Sequence, residues 1–174
     1  KEDAVEIKGI TVSSNQLEDV AGITPEYPFA MHHADMRTTH IPWHWHEEVE
    51  FSYIRSGSMQ VTTVNQTYEF QQGEGFFINS NILAAMEASG DAPHVINESF
   101  LFHPVFLSGH FKSIFETKYV IPVIHDRRFD IIEFRGRTSA QKKILSLLKE
   151  VPHIQEEENS EFLTRNVFSE IWLL

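Results

Sequence analysis

The chain contains no cysteine, which excludes disulfides and thiolate metal sites and fits a reducing compartment. Basic residues are scarce: 14 Lys and Arg stand against 25 Asp and Glu, for a net charge of −11. Gripping a phosphate backbone demands clustered positive charge, so this segment is not itself a nucleic-acid binder. Its short basic groups, Arg127-Arg128, Arg135 with Arg137, and Lys142-Lys143, are flanked by acids and read as solvated surface. No apolar run approaches the length of a membrane span, and no leader-like segment opens the chain, so a cytoplasmic protein with no membrane partner is expected. There is neither a Gly-x-Ser-x-Gly elbow nor a glycine-rich phosphate loop. With no thiol either, nucleophilic catalysis finds no support.

What is present is globular: 41% hydrophobic residues, 12% aromatics and 14 Phe in 174 residues. That length suits one domain, or one domain with an appended helical piece. So many phenylalanines suit a strand-rich chain or one lining an apolar cavity. The chain starts at Lys1 without Met and ends inside the apolar run Ile171-Trp172-Leu173-Leu174. Both ends are expected to be cuts in a longer protein.

Residues 1–40 show weak periodicity and several breakers (Gly9, Gly22, Pro25, Pro28), which predicts an N-terminal arm with two short strands. His32, His33 and His40 are expected to be arm or surface residues. From residue 41 onward the signals are those of short strands separated by turns, meaning a sandwich or barrel. Val49, Phe51 and Tyr53 alternate with Glu50, Ser52 and Ile54, and Gly57 closes the run. Gly73-Glu74-Gly75 reads as a tight turn in which both glycines supply positive φ. A short helix is expected over 108–118, ending before Pro122. Residues 139–151 place Ile144, Leu145, Leu148 and Val151 on one stripe, an amphipathic helix. After the acidic linker 155–160, with Asn159 or Ser160 as N-cap, a second helix carries Leu163, Val167, Ile171 and Leu174. Leu145, Leu148, Leu163, Val167 and Ile171 are the expected dimer contact.

The sharpest local signal is Trp43-His44-Trp45-His46-Glu47-Glu48-Val49-Glu50. On one uninterrupted strand, His44, His46 and Glu50 project from the same face. Two imidazoles and a carboxylate so placed form a facial set able to hold Fe(II), Mn(II), Ni(II) or Zn(II). The competing reading is an ordinary polar strand face, with Val49, Phe51 and Tyr53 opposite as core. Both hold together only if that odd face is also covered, for instance by the C-terminal helices.

His-x-His, three residues, Glu, six residues, Gly is the first cupin motif, and His44, His46, Glu50 and Gly57 match it. Thr38 stands where the motif usually opens on glycine. Of the second motif only the turn is similar, at Gly73-Glu74-Gly75; no histidine lies between Phe76 and Ala85. Within cupins the chain resembles the N-terminal domain of AraC-type transcription regulators, in the His-Trp-His-Glu start, in Glu50 to Gly57, in Gly73 to Asn79, in Phe102-His103-Pro104 and in the closing helix pair.

The resemblance implies a mainly β fold with C-terminal α: a cupin (double-stranded β-helix, or jelly-roll) barrel followed by two amphipathic helices. It divides the chain into an arm with first strands (1–40), an effector-binding barrel (41–135) and a helical dimerisation segment (136–174). The helix-turn-helix DNA-binding domain lies outside this chain. The implied partners are a small-molecule effector, with a sugar the family-level expectation, a second copy of the chain, and DNA through the missing domain. Pocket candidates are His44, His46, Glu50, Phe77, Asn79, His94 and His103, with ordinary packing the competing reading for Phe77, Asn79 and His103. No cofactor is required, although His44, His46 and Glu50 can hold a divalent transition metal. An enzyme is not expected. The alternative is a metal-dependent cupin enzyme, a dioxygenase or sugar isomerase, using those three residues.

Overall fold

The computed structural model describes residues 4–174; the first residues of the expected arm lie outside that range. Two sheets face each other. The larger holds, in order, β1 (Val5–Glu6), β4 (Phe29–Asp35), β11 (Ile96–Phe102), β6 (Val49–Ser56), β9 (Gly75–Ile78) and β12 (Ile131–Phe134). The smaller holds β5 (Ile41–His44), β10 (Ala84–Ser89), β7 (Ser58–Thr63) and β8 (Thr67–Gln71). A hairpin of β2 (Thr11–Val12) and β3 (Glu18–Asp19) completes the β structure. All neighbours are antiparallel except β1 on β4.

Alternation along β6 decides what each face does. Ile54 points inward with Met59, Val61, Phe70, Phe76 and Met86, forming the barrel core. Val49, Phe51 and Tyr53 point outward, yet all three are buried. Their cover is α3 (Ser139–Ile154) and α4 (Ser160–Leu173), through Ile144, Leu148, Val151, Phe168 and Ile171. Phe168 is fully buried, with its ring 5.2–5.8 Å from those of Phe29, Phe51, Phe100 and Phe102. Many of the phenylalanines therefore build a second core outside the barrel. The expected cover over the odd face of β6 is in place.

Local signals explain the helix ends. The Thr138 side chain accepts from Gln141 N at 3.1 Å and starts α3, satisfying one of the free donors of a helix N-terminus. Asn159 caps α4 by position, with no side-chain bond. The expected helix over 108–118 is instead split: α1 (Val105–Ser108) precedes a π-helical turn, Phe115–Val120, which runs into α2 (Ile121–Ile124). Pro122 does not stop this run, because it sits in the first turn of α2, where its missing N–H costs nothing.

Two further expectations change. The barrel does not begin at residue 41: β4, placed in the arm, pairs along its whole length with β11. Its adjacent histidines break the apolar alternation, and only the pairing shows it to be a full strand. Of the two glycines around Glu74, only Gly73 has positive φ, at 84°. Gly75 is needed for a different reason, since a Cβ there would collide with the carbonyl oxygen of Ser52 on the paired strand β6.

Candidate functional site

His44 closes β5 and Glu50 sits near the start of β6, so the motif does not lie on one strand. The chain turns from one sheet to the other between them. Convergence comes from that corner: His44 faces Glu50 across the barrel mouth, with His46 in the turn. All three side chains are buried.

The imidazoles are oriented by their own backbone. His44 Nδ1 lies 2.8 Å from the Pro42 carbonyl oxygen, and His46 Nδ1 lies 2.8 Å from that of Glu48. A ring nitrogen held on a carbonyl leaves Nε2 as the outward, metal- or ligand-facing atom. His46 Nε2 is 3.4 Å from Glu50 Oε2. From Glu50 a polar chain runs inward: Ser52 Oγ donates to Glu50 Oε1 at 3.2 Å and meets Ser99 Oγ at 3.0 Å, which accepts from Asn97 Nδ2.

A residue missed in the sequence completes the cluster. Glu18 Oε2, from the arm hairpin, lies 3.6 Å from His44 Nε2 and 3.9 Å from His46 Nε2. The hairpin is fastened to the motif through Trp45. Trp45 N donates to Gln16 O, Trp45 O accepts from Glu18 N, and the indole Nε1 donates to Asn15 O, each at 2.9 Å. Trp45 is thus the docking strip for the arm. Nothing in the sequence singled out Glu18, one acid among 25.

Burial dominates the electrostatics. It pushes the Glu18 carboxyl up to about 7, opposed by His46 and reinforced by Glu50. Burial also acts to lower His46, but hydrogen bonding and charge from Glu50, then the charge of Glu18, raise it to about 9. Burial lowers His44, with only partial relief from Glu50. Glu50 is pushed up by burial, yet His46 holds it below its usual range. His46 and Glu50 are therefore an ion pair, beside a neutral His44 and a carboxyl near its midpoint.

Glu18, His44 and His46, whose ligand atoms all lie within 4.8 Å of one another, are a group of the kind that can hold a metal ion, with Glu50 beside His46. Beside it lies a cavity of about 20 Å³ lined by Ile7, Ile10, His32, Met86, Asn97 and Ser99. His32, expected as an arm or surface residue, is a buried residue of β4 and reaches Ala21 O at 2.7 Å. Asn97 Oδ1, also buried, has no hydrogen-bond partner among the described residues.

Four pocket candidates lie elsewhere. Phe77 and Asn79 are on the outer face of β9 and the residue after it: Phe77 packs on Phe51 and Trp172, and Asn79 Nδ2 donates to Val123 O. His94 is mostly exposed and pairs with Asp35 at 2.8 Å. His103 pairs with exposed Glu47 at 3.2 Å. The structure corrects their assignment to the barrel interior. A second cavity, of about 440 Å³, opens between the outer sheet face and the helices, lined by Phe51, Phe77, Phe134, Ile144, Ile171 and Trp172 among others.

The sequence model of the AraC-like ligand binding domain matches residues 26–154, most of the chain. This chain belongs to the AraC-like ligand-binding domain family. The family domain thus spans β4 to α3, the barrel with its first covering helix. A similar sequence is the uncharacterized HTH-type transcriptional regulator YdeC of Bacillus subtilis, 24% identical over 161 residues. That match covers 88% of this chain and 53% of YdeC, so the chain spans about half the length of that relative. Among solved structures, ToxT of Vibrio cholerae superposes with a TM-score of 0.53 at 16% identity, over 82% of this chain and 54% of ToxT. A second ToxT structure, bound to (E)-4-(8-methylnaphthalen-1-yl)but-3-enoic acid, gives 0.51 at 18% identity, over 83% of this chain and 56% of that one. Among the described residues, no helix of this AraC-like domain is long and apolar enough to cross a membrane.

Proposed function

We propose that this AraC-like domain is the effector-sensing part of a transcription regulator, and that a small polar effector is read at the barrel mouth. The observation that supports this reading is the arm hairpin closing with Glu18 on His44 and His46. A ligand that competes for these groups shifts the arm between two arrangements, and differential affinity for them is what sensing requires. Glu50, Ser52, Ser99 and the free Asn97 oxygen offer the hydrogen bonds that a hydroxyl-rich ligand such as a sugar needs. The closed cavity of about 20 Å³ accepts roughly one water-sized group. A sugar therefore binds the arm-open form.

A second reading places an apolar effector in the outer cavity. Its 440 Å³ falls within the usual range for ligand pockets, about 300–1,000 Å³, and one ToxT structure holds an aromatic carboxylic acid. Thermal shift with a panel of sugars and of aromatic and aliphatic acids separates the two. Sugar stabilisation lost in Glu50→Gln supports the barrel, and acid stabilisation lost in Ala140→Phe, which fills the outer cavity, supports the second. No stabilisation by either panel counts against sensing by this domain.

DNA binding is proposed for the remainder of the regulator, since the charge of −11 makes this segment a poor match for phosphates. A homodimer through the helical segment is also proposed, on a different set of residues from the expected stripe. Leu148 and Ile171 are buried in this chain's own core, with Leu145 and Val167 packed against it. Phe162 and Leu173 are the exposed apolar residues of α4. The family points to a regulator's sensing domain rather than to an enzyme.

A further inference from the structure

The sensor reading leaves one question open at the same site: what a buried arm carboxylate does between two imidazoles. At 3.6 and 3.9 Å, Glu18 Oε2 is too far from either Nε2 for a hydrogen bond. It sits almost evenly between them, with the ligand atoms of Glu18, His44 and His46 all within 4.8 Å of one another. We propose that Glu18, His44 and His46, joined by Glu50, bind one divalent transition metal ion that ties the N-terminal arm to the barrel.

Spacing supports this. Zinc bonds of about 2.0–2.1 Å in a tetrahedral site place donor atoms roughly 3.3–3.4 Å apart. Glu18 Oε2 is 3.6 Å from His44 Nε2 and 3.9 Å from His46 Nε2, so these three donors need only a small contraction, while Glu50, 3.4 Å from His46 Nε2 but outside that group of three, joins by a shift of its side chain. Orientation supports it as well. Each imidazole is already held at Nδ1 by a backbone carbonyl, the outer-shell arrangement that presents Nε2 to a metal. Charge completes the case: once the ion displaces the proton of His46, two carboxylates beside two neutral imidazoles balance a dication in a buried site, where an unpaired charge is costly.

The arm origin of Glu18 gives the ion a consequence. The hairpin is otherwise fixed to the motif mainly through backbone pairing with Trp45 and that residue's indole. A metal–carboxylate bond adds a tether from β3 directly to the end of β5. Metal occupancy then holds the arm shut, and effector binding must work against it or through it. The inference rests on the sensor reading only for this last consequence.

The test uses chelator-stripped chain and Zn(II) alone, with Mg(II) as control, so it needs neither effector nor DNA and its failure is distinct from failure of the sensor reading. Calorimetric titration is expected to give one Zn(II) per chain at submicromolar Kd, with no Mg(II) response. Amide hydrogen exchange over residues 11–19 is expected to slow on Zn(II) addition. The near-isosteric Glu18→Gln, with circular dichroism confirming its fold, is expected to weaken Zn(II) at least roughly tenfold and to abolish the arm protection. His44→Ala should lose Zn(II) as well. No saturable Zn(II) binding below 100 micromolar, undiminished binding by Glu18→Gln, or unchanged arm exchange in zinc-loaded protein would each overturn the proposal.

Discussion

Glu18 Oε2 stands 3.6 Å from His44 Nε2, joining the arm hairpin to the last residue of β5. This contact makes the arm a lid on the barrel's polar end, and it separates what the barrel does from what merely holds it together.

The outer aromatic layer is structural. Phe168→Ala removes a fully buried ring that meets four other phenylalanines. A loss of about 3–5 kcal/mol is expected in urea unfolding, with α4 released from the sheet. An unchanged midpoint would show that α4 is not part of the cooperative unit.

Gly57 is set by the β6–β7 turn. Its φ is +74°, and a Cβ would lie 2.8 Å from His94 O and from Val95 Cγ2. Gly57→Ala is expected to cost more than about 1 kcal/mol, the cost of a left-handed residue alone, because the clash adds to it. Chemical denaturation measures it. A neutral effect would mean that the turn rearranges freely.

Below pH 6.5 the buried His32 and His44 should each destabilise the domain, against an opposing gain from Glu18, whose carboxyl, raised to about 7, takes up its proton more readily in the folded state. Burial lowers the pKa of His32 despite its bond to Ala21 O, with Glu50 and His46 adding smaller, opposed effects, and His44 is lowered in the same way. A folded-state pKa below the unfolded value means stability is present above the unfolded pKa of about 6.5 and lost as pH falls through the folded one, at up to about 1.4 kcal/mol per pH unit per proton. His32→Gln should keep a donor for Ala21 O and flatten the decline in thermal midpoint below pH 6.5. An equally steep decline in the variant would remove His32 as its source.

Association should follow the exposed residues of α4. Phe162→Glu and Leu173→Glu are each expected to shift sedimentation toward monomer at tens of micromolar without lowering the thermal midpoint, because both side chains are about 70% exposed. Leu148→Ala should instead destabilise the fold by about 2–5 kcal/mol. If the two surface variants sediment like the parent, α4 is not the contact.

Much of this was legible from residue order. The alternation at Val49 to Ile54, the His44-His46-Glu50-Gly57 spacing and the stripe of Ile144, Leu148 and Val151 report local periodicity, which side-chain direction enforces within a single element. The same logic anticipated that both faces of β6 would be buried once the helices were in place. It erred where the environment comes from other segments. Phe77 and Asn79 read equally well as barrel lining or outer packing, and the register with β6 put them outside. Leu148 and Ile171 read as an interface stripe and proved to be the inner face of a lid on β6.

The sequence by itself determined the strand at β6 with its two alternating faces, the helices α3 and α4 and the pair of imidazoles, because each follows from spacing along one stretch of backbone. Only the tertiary structure decided that the motif bends across a corner between sheets, that β4 is a full barrel strand, and that Glu18 meets His44 and His46. Those facts depend on long-range pairing, β4 with β11 and Trp45 with the arm hairpin. No local period encodes which distant carboxylate the closed arm delivers.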